Sequence, residues 1–251
     1  QHYTMSGIRT DKTGAAYGLK GLFSAGEAAC WDMHGFNRLG GNSLAETVVA
    51  GGIIGKCIVE YLKGCETTYS TAAINAEVKR QQQRIDDLIA GRLGRENVYK
   101  VRSEMQEALM KGCFVFRNEK DLQACIETLQ GVYERAGKIG LVSNGLGANH
   151  ELAAALKLRG QVRLALCIAA GALARKESRG SHNREDYPAR DDQNWLNRTL
   201  AYWPEGADMP VLKYEDATPY FEIPPGERGY GGGKIIQADP ALIAAKTIKG
   251  K

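Results

Sequence analysis

Apolar residues recur every three to four positions along much of this chain, and that period predicts helices. Between 43 and 62, Leu44, Val48, Ile54, Ile58 and Leu62 share one helical stripe. Asn42 or Ser43 is placed to cap that helix, and Gly64 ends it. The internal pair Gly51-Gly52 costs about 1 kcal/mol per residue relative to alanine. Close packing against something flat, a sheet or a planar ring, would justify that cost. Further on, 72–89 is polar and helical and closes at Gly91. Helical patterns follow at 96–111, at 121–136 (closed by Gly137) and at 151–175. Short connections between antiparallel helices predict a small bundle. Ahead of all this, residues 1–26 pattern as short strands and turns, with a buried strand at 22–25 stopped by Gly26.

After Glu177 the periodicity ends. A charge-dense stretch gives way to proline-, glycine- and aromatic-rich segments, as in an extended arm with a few short strands. The expected fold is therefore α-rich, mainly a helical bundle, with a short α/β segment before it and an extended arm after it. The expected boundaries are 1–64, 65–176 and 177–251.

Composition narrows the function classes. The 251 residues suffice for a sizeable core, and a net charge of +4 is too mild to argue for nucleic acid. Neither a leader pattern nor a run of 18 apolar residues is visible. The six cysteines never form a C-x-x-C pair, which argues against a zinc site or an iron–sulfur cluster held by this chain. Most sit in apolar helical patterns, as small buried and reduced thiols. The opening "QHYTMSG" runs straight into a glycine like the middle of a domain, so the chain is expected to be a piece of a longer polypeptide.

One stretch carries candidate chemistry. In "HGFNRLGGNSL", His34 to Leu44, an arginine stands one residue ahead of a Gly-Gly step and a helix start. The glycines allow close backbone approach or positive φ. The helix start offers unpaired N–H groups and a positive dipole end, and Arg38 adds a planar fork of donors suited to a carboxylate. The pattern fits an anion site and a salt-bridged surface loop about equally well.

Two neighbouring motifs break that tie. "HYTMSG" (His2 to Gly7) and "GLFSAGE" (Gly21 to Glu27) precede the loop, and "RKESRGSHNREDYPARDD" (Arg175 to Asp192) follows far downstream. The four together resemble the flavoprotein subunit of fumarate reductase and succinate dehydrogenase, with wording most similar to the menaquinol-linked fumarate reductases. The resemblance implies that the chain is the C-terminal part of such a subunit, its α/β segment closing an FAD-binding domain. It implies fumarate–succinate interconversion by hydride transfer at FAD. It places substrate binding on His2, Arg38 and the Gly41 backbone, and cofactor contacts on Glu27, Ser43 and Leu44. An iron–sulfur subunit and a membrane cytochrome b subunit are the implied partners, with the flavoprotein peripheral on the cytoplasmic face of the cell membrane.

The family's Gly-rich flavin-binding turn, its FAD-linking histidine and its proton-donating arginine match no position here, so no catalytic residue is assigned. Taken alone, this segment is expected to bind no FAD and to be inactive. Ser6 stands where the family usually has glycine. An L-aspartate oxidase-like flavoenzyme is a rival reading, although Met5 and Gly40-Gly41 count against it. A non-catalytic helical interaction module derived from the family is another. His34 is expected to order the loop and His150 to sit solvated or capping at a helix start. Glu177, Arg179 and His182 are expected to form a structural network before any acid–base site. Trp195, Tyr202, Trp203, Tyr214, Tyr220 and Phe221 are expected to be packing anchors of the arm.

Overall fold

The computed structural model describes residues 4–65, 69–145 and 147–217, which cluster into two compact units, 1–71 and 72–251. In the first, β1 (Ile8–Arg9) pairs in parallel with β2 (Ala29–Cys30), Ile8 opposite Ala29. Gly7 makes this pairing possible, because a Cβ there would lie 2.4 Å from the Ala28 carbonyl oxygen. The strand expected at 22–25 is reduced to a single antiparallel bridge between Phe23 and Ala15. Gly14, Gly18, Gly21 and Gly26 all take positive φ, so this stretch turns too often to hold a ladder.

The helix expected at 43–62 forms as one continuous run. It begins as α1 (Asn42–Ala45), widens into a π-helical stretch (Glu46–Ala50) and continues as α2 (Gly51–Lys63). Neither Asn42 nor Ser43 caps it. Gly41 does so in the left-handed conformation, φ +81, and Asn42 and Ser43 are already helical. Its apolar stripe is mostly uncovered: Leu44, Val48 and Leu62 are exposed, whereas Ile54 is buried over Gly14. A side chain at Gly51, Gly52 or Gly55 would meet open space. By length and composition the run 42–63 is apolar enough to cross a membrane.

The second unit is the bundle. The polar α3 (Thr71–Ile89) buries only Leu88 and is tied down where Arg84 Nη2 donates to the Leu156 carbonyl at 2.6 Å. The core lies among α4 (Val98–Gly112), α5 (Glu119–Arg135) and α6 (His150–Ala174), around Val98, Val101, Leu122, Leu129, Leu158, Val162 and Leu166. Asn97, Asn118 and Asn149 cap the three helices through their side-chain oxygens. His150 follows the last of these caps as the first helical residue.

The arm does contain short strands. β3 (Phe116–Arg117) pairs in parallel with β4 (Asn183–Arg184), and a single helical turn, α7 (Asp192–Trp195), leads on. β5 (Asn197–Tyr202) and β6 (Val211–Asp216) then form an antiparallel hairpin. Trp203 packs against Tyr133 at 5.4 Å between ring centroids, and Trp195 meets Tyr214 edge-on at 5.7 Å. Tyr202 is half exposed, and Tyr220 and Phe221 lie outside the described residues.

Candidate functional site

Three of the four motifs meet inside the first unit. The Thr4 backbone N–H donates to Glu27 Oε1 at 2.7 Å, joining the first motif to the second. Gly26, at φ +67, stands against Thr47, 3.3 Å from the hydroxyl to where a Cβ would be. Thr47 lies on the helix that the third motif begins, where the same hydroxyl donates to the Ser43 carbonyl one turn back at 2.8 Å. Larger residues at Gly26 would push that helix turn away. His2 lies outside the described residues.

Glu27, Gly41 and Leu44 are exposed, while Arg38 and Ser43 are half-buried. Arg38 sits late in the loop 31–41. The far end of that loop is closed where Asn42 N–H donates to the Leu39 carbonyl at 3.1 Å, with Gly41 supplying the left-handed turn. The near end is fastened by Arg9, whose Nη1 lies 3.2 Å from Asp32 and also donates to the Cys30 carbonyl.

A feature the sequence reading passed over lies beneath this loop. Glu46, 2% exposed, accepts from the Trp31 indole at 2.7 Å and from His34 Nε2 at 2.7 Å. No local signal marks it, since Trp31 and His34 stand 15 and 12 residues ahead of Glu46 in the chain. A shallow, mostly apolar depression of about 390 Å³ lies elsewhere on the unit, lined by Thr13, Phe23, Lys56, Cys57 and Tyr61 among others. No predicted site residue lines it. Among the described residues no cluster of histidine, cysteine and acidic side chains could hold a metal.

The downstream motif is a buried ionic network. Glu177, fully buried, accepts from Arg175 at 2.6 Å, from Arg179 at 2.8 and 3.0 Å and from the Asp191 N–H at 2.8 Å. Every lone-pair direction of this carboxylate is thus engaged, which leaves it no role as a base. Arg117 Nη1 donates to His182 Nδ1 at 2.8 Å, so Nε2 carries the proton and donates to the Arg175 carbonyl. Burial, and then the Arg117 charge, push the His182 pKa down to about 4. Glu177, Arg179 and His182 are therefore structural, as their sequence context suggested.

The comparisons with known proteins agree with this layout. Residues 1–44 match the FAD binding domain family. Residues 102–230 match the family described as fumarate reductase flavoprotein C-term, and the chain belongs to that family. It is 46% identical over 233 residues to the fumarate reductase flavoprotein subunit of Helicobacter pylori, covering 92% of this chain and 32% of that one. The Escherichia coli subunit is 38% identical over 251 residues, covering 99% and 40%. The chain thus spans about a third of the length of these curated relatives. Among solved structures, an Escherichia coli quinol fumarate reductase flavoprotein bearing a point mutation superposes with a TM-score of 0.84 at 37% identity, covering 92% of this chain and 39% of that one. A quinol-fumarate reductase with menaquinol molecules gives 0.81 at 37% identity, covering 88% and 38%. Adenylylsulfate reductase of Archaeoglobus fulgidus, at 20% identity and a TM-score of 0.60, shares the fold.

Proposed function

We propose that this chain is the C-terminal part of a flavoprotein subunit that interconverts fumarate and succinate at FAD. The observation that carries this reading is the convergence of three motifs in one unit, tied by the Thr4–Glu27 hydrogen bond and by the seating of Gly26 against Thr47 on the helix that the third motif begins. The residues fit the cofactor. Glu27 keeps an exposed carboxylate able to accept from sugar-side hydroxyls, and the start of α1 presents its positive dipole end at Ser43 and Leu44. The open ground over Gly41 and over Gly51-Gly52 leaves room for a flat group or a further segment to approach the helix. When bound, FAD supplies the hydride donor or acceptor.

Arg38 holds one carboxylate of the dicarboxylate by its bidentate fork, and the Gly41 backbone N–H assists. His2 is assigned to substrate as well. Fixing the carboxylates orients the double bond for transfer. The reading divides the chain into the closing segment of the FAD domain (1–64), a helical bundle (65–176) and an extended arm (177–251). The uncovered apolar face of the helix 42–63 packs on the remainder of the subunit. The subunit associates with an iron–sulfur partner and a membrane cytochrome b partner, and lies peripherally on the cytoplasmic face of the membrane.

Arg38→Lys in the full-length enzyme tests the reading. Lysine offers a point charge, and charge-assisted hydrogen bonds are worth about 1.5–3 kcal/mol each. A loss of at least about a hundredfold in kcat/KM for fumarate is expected, with FAD content unchanged. Near-normal fumarate reduction would make Arg38 a loop salt bridge.

A further inference from the structure

The loop that carries Arg38 is held by a carboxylate from the helix it precedes. Burying a carboxylate is strongly unfavourable unless its oxygens are bonded. At Glu46 each oxygen takes one N–H from the loop: Oε1 from the Trp31 indole and Oε2 from His34 Nε2, both at 2.7 Å. The His34 side chain is itself 10% exposed, so this grip is shielded from water. Glu46 also heads the π-helical stretch, a rare wide turn that recurs at functional sites. With His34 clamped and the turn at Gly41 closed by the Asn42–Leu39 hydrogen bond, Arg38 lies on a short span between two fixed points.

We propose that Glu46 is a positioning residue for Arg38. By gripping Trp31 and His34 it sets where the guanidinium stands relative to the start of α1, and so how tightly the site takes a dicarboxylate. Glu46 does not touch the substrate; it acts through the loop. The proposal rests on the reading of Arg38 as a carboxylate clamp.

The test is a double-mutant cycle in the full-length subunit within its assembled complex, reading the Kd of malonate, a dicarboxylate that cannot be reduced. Glu46→Gln keeps the side-chain shape and replaces one acceptor oxygen by a donor. It should weaken malonate about tenfold, the scale of one hydrogen bond to a charged group, with the FAD-to-chain ratio unchanged. In an Arg38→Ala background the same change should shift the Kd by less than about twofold, because coupled residues lose their effect together. Parent-like malonate binding by Glu46→Gln overturns the proposal, as does an undiminished effect in the Arg38→Ala background. If Arg38→Ala alone leaves malonate affinity intact, the clamp reading fails and this proposal with it. If Arg38→Ala weakens malonate while Glu46→Gln does not, only the positioning role fails. Should Glu46→Gln lose FAD, Trp31→Phe and His34→Gln each remove one arm of the grip and carry the same cycle with the same criteria.

Discussion

Replacing Arg184 by methionine removes a fully buried guanidinium that is bonded on both sides. Its Nη1 donates to the carbonyls of Ala172 at 3.0 Å, Leu173 at 2.9 Å and Arg175 at 3.1 Å. Its Nε and Nη2 donate to the two oxygens of Asp186 at 2.7 and 2.8 Å. The first set closes the C-terminus of α6, where the last carbonyls of a helix have no partner within it and the dipole end is negative. Methionine fills comparable volume, so the change isolates the polar loss. It strands the Ala172 and Leu173 carbonyls, leaves the Arg175 carbonyl only its bond from His182 Nε2, and deprives Asp186 of its cation. Breaking one side of a buried ion pair costs about 3–5 kcal/mol. The Asp186 side chain is 28% exposed and can recover some hydration, which favours the lower half of that range. For a unit of this size each kcal/mol moves the midpoint by roughly 2–4 °C, so a fall of about 10 °C is expected. Arg184→Lys should fall between the parent and Arg184→Met, since one ammonium cannot serve the carbonyls and a bidentate carboxylate together. Thermal and urea unfolding followed by far-UV circular dichroism measures both. A loss below about 1 kcal/mol for Arg184→Met would refute the view that this arginine joins arm to bundle.

Two further outcomes are expected. His182 must be neutral when folded, and its pKa falls from 6.5 to about 4, so between those values the unfolded state binds more protons. Its contribution is therefore complete above pH 6.5 and is lost as pH falls toward 4; urea midpoints between pH 7 and 5 should decline, and His182→Gln should flatten that slope. Gly112→Ala would place a Cβ 2.4 Å from the Asp121 carbonyl oxygen and 2.6 Å from Cys125 Cβ, where α4 meets α5. It should cost about 1–3 kcal/mol by overpacking. Gly131→Ala, set in the same bundle over open space, should instead stabilise slightly. Equal midpoints for the two alanine variants would contradict the packing argument.

Much of the architecture was legible from period and punctuation. Helices need only local hydrogen bonds and one apolar face, so 3.6-residue spacing, with Gly91 and Gly137 as stops, located α3 to α6 within a few residues. The family signature likewise lay in ordered local motifs, and Arg38 announced itself by standing before two glycines. What the sequence could not supply were pairings between distant residues. Nothing local says that Trp31 and His34 reach Glu46, or that Arg184 closes a helix whose end lies ten residues earlier in the chain. Such contacts depend on how loops fold back, and the same carboxylate or arginine would read as a solvated surface charge if they did not. The failed strand at 22–25 has the same origin. Its apolar residues suit a strand, but a strand exists only where a partner presents matching backbone groups. Here the successive left-handed glycines carry the chain away after a single bridge. Local pattern determined which segments are helical and which motif is a candidate anion site; only the tertiary structure decided which buried charges hold those pieces in register.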